Sequence, residues 1–186
     1  VPGSTPRSAS AVTPERNEGQ AREALLRHID VPDENVHPMP STDDGQTLEE
    51  AARTYAAELA EHSDGDFAAP RFDITILGVG PDGHIASLFP DHDSVNVKDE
   101  TVLAVADSPK PPPERISLTL PVINASQRVW MVLAGPDKAS ALGLALAGAD
   151  RAGVPVAGVK GRKRTVFFVD REAAADVPEN LFLSAY

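Results

Sequence analysis

The 186-residue sequence predicts an α/β domain of three layers, with helices covering a mostly parallel, Rossmann-like sheet. Three observations lead there. Short β-rich runs alternate with stretches of helical period, the pattern of strand, crossover helix and strand. The run Phe72-Asp73-Ile74-Thr75-Ile76-Leu77-Gly78 is short, mostly apolar and closed by glycine, as expected of an inner strand of a parallel sheet. A glycine-rich turn follows it at once, where open α/β sheets place ligands beyond the carboxyl ends of their strands.

Taken in order, residues 1–13 are rich in Pro, Ser and Gly without apolar periodicity and read as an irregular or disordered segment, leaving residues 14–186 as the domain. Thr13 suits a helix cap and Pro14 a first helical position, with Ala21, Ala24, Leu25 and Ile29 recurring along one face. Residues 31–47 form a proline-punctuated connection. Thr47-Leu48-Glu49-Glu50 is a capping box that opens a second helix to about His62, with Leu48, Ala52, Tyr55 and Leu59 as its buried stripe. After the 72–78 strand, residues 101–106, 115–120 and 129–133 read as extended. The last of these leads through Gly135-Pro136-Asp137 into a helix over 138–147, and residues 165–169 supply another strand, with a short helix from about Asp170.

Composition narrows the function. At 41% hydrophobic and 24% charged residues, the balance is that of a soluble globular domain. The absence of cysteine removes a disulfide framework, thiolate zinc sites and a cysteine nucleophile, and fits a cytoplasmic location. No apolar run has membrane length and no secretory pattern opens the chain, so no membrane partner is expected. A net charge of −11 repels nucleic acid, and the one basic run, Lys160-Gly161-Arg162-Lys163-Arg164, reads as a solvated loop without aromatic residues interleaved to stack bases. Positive charge for a small anion must therefore be local. His28, His37 and His62 have ordinary surface explanations, and Asp91-His92-Asp93 lacks a third ligand at metal spacing, so no metal is expected.

The informative stretch is Gly78-Val79-Gly80-Pro81-Asp82-Gly83-His84-Ile85-Ala86-Ser87-Leu88-Phe89-Pro90. Gly78, Gly80 and Gly83 satisfy G-x-G-x-x-G, and Asp107 lies where a dinucleotide fold would place its ribose acid. Pro90 argues against that reading, because a dinucleotide-binding helix must run about three turns behind the third glycine and this one is stopped early. The glycines are better read as letting backbone approach a small ligand. His84 then stands at a strand exit, near the positive end of the short helix expected to follow, a field that disfavours imidazolium. A neutral imidazole can take a proton from water. Read from the residues alone, His84 is either such a base or a ring donating to a carbonyl, and Asp82 either orients that ring or caps the turn.

This stretch resembles the motif of the 6-phosphogluconolactonase family. Pro109-Lys110-Pro111-Pro112-Pro113-Glu114-Arg115-Ile116-Ser117-Leu118-Thr119-Leu120-Pro121 is similar to the family's second block, Leu133-Ala134-Gly135-Pro136-Asp137-Lys138-Ala139 to its third, and the similarity runs from Glu15 onward. The resemblance implies a cofactor-free hydrolase of 6-phosphogluconolactone in the oxidative pentose phosphate route. His84 would activate water, and backbone N–H groups around Gly78 to Gly83 would stabilise the oxyanion. Arg115 and Lys138 would bind the phosphate, and the assembly would be a monomer or weak dimer. Glucosamine-6-phosphate deaminases share the Asp-Gly-His triplet but continue with Ala-Phe-Asn-Glu-Pro. Here Ala86-Ser87-Leu88-Phe89-Pro90 has no acid, which leaves the deaminase, and a non-catalytic sugar-phosphate binder, as alternatives. The resemblance further implies opening βα units ahead of the part matching Glu15. Residues 1–14 do not supply them in order, so unpaired strand edges and uncovered faces are expected.

Overall fold

The computed structural model describes residues 16–63, 65–175 and 177–182; the expected irregular segment, the Thr13 cap and Pro14 lie outside them. Two compact units emerge, one from residues up to Arg71 together with Glu100–Leu118, the other from Phe72–Asp99 and the chain after Thr119. Among the described residues no helix is long and apolar enough to cross a membrane.

The first unit holds α1 (Asn17–Ala24), α2 (Leu48–Glu61), β2 (Val102–Val105) and β3 (Arg115–Leu118). In α2 the predicted capping box is present: Glu50 N–H donates to the Thr47 hydroxyl at 3.2 Å and Thr47 N–H donates to the Glu50 carboxylate at 2.8 Å. These bonds satisfy two backbone donors that a helix start leaves without partners. Leu48, Ala51, Ala52, Tyr55 and Leu59 form its buried stripe, which adds only Ala51 to the expected set. Helix α1 departs from expectation. It ends at Ala24, a 3₁₀ turn over Leu26–His28 follows, and Leu25 and Ile29 are about half exposed, so the four apolar residues do not share a buried face.

The second unit carries the parallel sheet, in the order β1 (Ile74–Gly78), β4 (Arg128–Leu133), β5 (Arg164–Val169). Ile76 pairs with Trp130 and Trp130 with Val166, and all three strands run the same way. One face packs inward: Thr75, Leu77, Val129, Met131 and Leu133 are buried, as are Leu120, Val122 and Ile123 of α3 (Leu120–Ala125) and Ala139, Ala141 and Leu142 of α4 (Ala139–Leu146). A buried bond of 2.7 Å between the Thr75 and Ser126 hydroxyls ties β1 to the end of α3. A final short helix, α5, covers Glu179–Phe182.

Three expectations need correction here. Among the described residues β1 stands at the edge of the sheet with alternating burial, instead of as an inner strand covered on both sides. β2 and β3 do not join the parallel sheet; they form their own antiparallel pair, Val105 opposite Arg115. In place of a helix after Asp170, residues 171–175 are turns, held because Asp170 spends its carboxylate on Ala173 N–H at 2.8 Å.

Candidate active site

The glycine-rich stretch leaves β1 at its carboxyl end and folds into a tight turn. Gly83 N–H donates to the Gly80 carbonyl and Gly80 N–H to the His84 carbonyl, both at 2.9 Å. These two amides are committed to the turn, so the expected oxyanion role does not fall to them. The space around the glycines has a different use. A Cβ on Gly80 would overlap Nδ1 and Cε1 of the His84 ring and come within 2.5 Å of the Asp82 carboxylate. A Cβ on Gly83 would meet Val154 Cγ1 at 2.9 Å, and its φ of +82° suits glycine. Gly83 also accepts from Val156 N–H at 3.0 Å, which fixes the turn against residues 154–156.

His84 and Asp82 come together across Gly83. Nδ1 of His84 lies 2.6 Å from Oδ1 of Asp82, with side-chain exposures of 18% and 35%. A carboxylate that close accepts from a protonated Nδ1, so the neutral ring carries its lone pair on Nε2. Phe89 packs on the imidazole with centroids 4.8 Å apart and a tilt of 33°. No helix follows His84: residues 84–92 are turns and isolated bridges, with Ile85 bridged to Val79 and Leu88. The expected helix and its field are therefore absent beside His84, and the ring's neighbours are instead Asp82 and Phe89. Ala86 takes a left-handed φ of 50°, which for a residue with a side chain costs roughly 1–2 kcal/mol.

Lys138 sits after the end of β4, the strand hydrogen-bonded to β1, so both turns emerge at the same end of the sheet. Its Nζ lies 3.2 Å from the Asp137 carboxylate, and its side chain is 20% exposed at the N-cap of α4. The preceding Gly135 has φ +93°, and its N–H donates to Asp170 Oδ2 at 2.9 Å. Asp170 thus joins the end of β5 to the Lys138 turn. The backbone donors Ala173 and Gly135, in that order, hold its carboxyl below the ordinary carboxylate range. Sequence reasoning passed over Asp170, although an acid at a strand end facing a Gly-Pro turn on the next strand is a legible pattern.

Arg115 belongs to the other unit, at the start of β3. Its guanidinium donates to the carbonyls of Pro112 (3.1 Å), Lys110 (3.2 Å) and Pro111 (2.9 Å), clasping the proline-rich loop, and burial lowers its pKa. Gly78 closes β1 opposite Val132 with open space beside it.

Comparison with known proteins places these features in a family. Residues 7–168 match the family described as glucosamine-6-phosphate isomerases/6-phosphogluconolactonase. A protein of Mycobacterium tuberculosis named 6-phosphogluconolactonase is 49% identical over 166 residues, covering 88% of this chain and 67% of its own length. One of the same name from Streptomyces coelicolor is 48% identical over 173 residues, 91% of this chain and 66% of its own. The crystal structure of 6-phosphogluconolactonase from Thermotoga maritima superposes with a TM-score of 0.75 at 30% identity, covering 89% of this chain and 70% of that one. The chain spans about two thirds of the length of the curated relatives it matches.

Proposed function

This chain belongs to the glucosamine-6-phosphate isomerase/6-phosphogluconolactonase family, and from that premise we propose that it carries the hydrolytic centre of a 6-phosphogluconolactonase, opening 6-phospho-D-glucono-1,5-lactone to 6-phospho-D-gluconate. The observation that carries this reading is the 2.6 Å pairing of Asp82 with His84 at the carboxyl end of β1. With Nδ1–H donated to Asp82, His84 Nε2 takes a proton from water as the water oxygen bonds to the lactone carbonyl carbon. The tetrahedral adduct then collapses: the bond to the ring oxygen breaks, the imidazolium returns its proton to that oxygen, and the new carboxylic acid ionises. Water is consumed and no electron carrier is needed.

Asp82 fixes the tautomer and stabilises the transient imidazolium, while Gly80 leaves room for the ring, Gly83 lets the turn close against Val154, and Gly78 leaves open space at the strand exit for substrate. Lys138, on the turn beside the β1 exit, is the proposed phosphate cation of this unit. Arg115 is proposed as a second one, presented by the clasped proline loop. Relatives named 6-phosphogluconolactonase at 48% to 49% identity favour hydrolysis over deamination.

The test is hydrolysis of freshly prepared lactone, followed by proton release, with ammonia release from glucosamine 6-phosphate as the competing assay. His84→Ala is expected to lower kcat by about two to four orders of magnitude, the usual worth of a positioned base. Turnover within a few-fold of the unsubstituted chain would remove His84 from the mechanism.

A further inference from the structure

The turn that carries Asp82 and His84 leans on a loop from far along the chain. Past α4, Val154 N–H donates to the Asp150 carbonyl at 2.9 Å and Ala152 N–H to the Asp150 carboxylate at 2.8 Å, so Asp150 closes residues 150–154 on themselves. Ala157 N–H on the Val154 carbonyl, at 2.9 Å, carries the chain into a 3₁₀ turn over Pro155–Gly158. The loop meets the catalytic strip at three points. The Ala152 carbonyl accepts from Asp91 N–H at 2.7 Å, and Val156 N–H donates to the Gly83 carbonyl at 3.0 Å. Val154 supplies the third: a Cβ on the buried Gly83 would lie 2.9 Å from its Cγ1.

Gly83 is the residue between the two members of the pair. Asp82 Oδ1 reaches His84 Nδ1 at 2.6 Å across a backbone that turns at Gly83 with φ +82°, so rotation about the Gly83 dihedrals swings one side chain relative to the other. Glycine is the residue least restrained in φ and ψ, and the conformation it holds is therefore imposed by its surroundings. Two restraints are backbone bonds, from Gly83 N–H to the Gly80 carbonyl and from Val156 N–H to the Gly83 carbonyl. Val154 adds a side chain that is stiff at χ1 because it branches at Cβ, and the buried Pro155 and Val156 next to it anchor its backbone. We propose that Val154 is a positioning residue for the hydrolytic step: it wedges the Gly83 hinge into the conformation that sets the Asp82 carboxylate on Nδ1 of His84. It acts through Gly83, and its own side chain neither donates nor accepts a proton. The inference rests on the reading of His84 as the base. Packing alone predicts a loss of stability when Val154 is truncated; positioning predicts a change at the ring.

The experiment compares Val154→Ala, Val154→Thr and His84→Ala with the unsubstituted chain, reading kcat and KM for the lactone, Tm, and the ring nitrogen NMR shifts of His84, assigned by their loss in His84→Ala. Val154→Ala is expected to lower kcat about tenfold or more with KM within about twofold, the pattern of a base misplaced by a fraction of an ångström. Its His84 shifts should move from the Nδ1–H form toward a mixture containing Nε2–H. Val154→Thr keeps the branched shape and should restore both readings. Gly83→Ala, which drives a Cβ into Val154, is expected to lower kcat at least about a hundredfold, and adding Val154→Ala to it should recover about tenfold, a coupling that independent damage cannot produce. Where Gly83→Ala does not fold, the comparison of Val154→Ala with Val154→Thr decides alone. A Val154→Ala chain with lowered Tm but unchanged kcat and ring shifts would overturn the proposal, as would a double variant as slow as the product of the single losses. Turnover retained in His84→Ala would remove the catalytic reading and this one with it, whereas turnover lost there beside full activity in Val154→Ala would remove this one alone.

Discussion

At the scale of single residues, Gly80 is the position where space decides function. Any side chain there collides with the imidazole it faces, so Gly80→Ala is expected to displace the His84 ring from Asp82 and lower kcat for the lactone at least tenfold. Circular dichroism should be unchanged, because Gly80 has no left-handed φ to lose. A fully active Gly80→Ala chain would show that the ring works from another rotamer. Tyr55 makes the opposite case, a residue whose chemistry serves stability. It is 2% exposed and donates its hydroxyl to the His37 carbonyl at 3.3 Å, and burial, aided by the Glu58 charge, pushes its pKa from the ordinary 10.0 up to about 12. A raised phenol pKa means the fold holds the proton more tightly than the unfolded chain. The stabilisation is complete below pH 10 and is lost as pH climbs toward 12, by about 3 kcal/mol in total. Urea midpoints measured between pH 9 and 12 should fall steadily in the native sequence and much less in Tyr55→Phe.

At the scale of elements, Asp170 is the tie between two strand ends. Its two carboxylate oxygens hold Gly135 N–H and Ala173 N–H, so the turn that presents Lys138 is fastened to β5. Asp170→Ala is expected to raise hydrogen exchange at Gly135 and Ala173 roughly tenfold or more, the scale of losing a charge-assisted bond, with little change at Leu77. In the native sequence the same protection should survive mild acid, because the folded carboxyl lies below the usual 3.8; it is lost only as pH falls through that lower folded value. Elements also show what a sequence discloses. The Thr47 capping box and the Leu48, Tyr55, Leu59 stripe were legible because their partners lie within a few residues along the chain. The end of α1 was not. Leu25 breaks the helix with φ −141° and ψ −58°, and nothing in an Ala-Leu-Leu-Arg run announces a stop.

At the scale of the whole molecule, the α/β class and the parallel sheet were legible from alternation of strand and helix patterns, and the Asp82–His84 turn from its glycine spacing. Strand neighbours were not. Ile74-Thr75-Ile76-Leu77 is equally at home inside a sheet or at its edge, and only pairing with distant residues decides which. Likewise, residues 102–105 and 115–118 have ordinary strand composition, and their antiparallel union depends on the proline-rich connection that Arg115 clasps. Among the described residues nothing pairs with the outer edge of β1, in line with the unpaired edge that the family resemblance implied.

The segment after His84 has one more implication. Ala86 and Asp91 both reverse the backbone at positive φ, and between them Leu88 and Phe89 are sunk to 0% and 1% exposure, while Asp91 N–H is moored to the Ala152 carbonyl at 2.7 Å. Such a strip is stapled down along its length and cannot swing as a flap. On the proposed role of His84, any motion that gates access to the ring would belong to other parts of the protein, and a change of solvent viscosity would not be felt through this stretch.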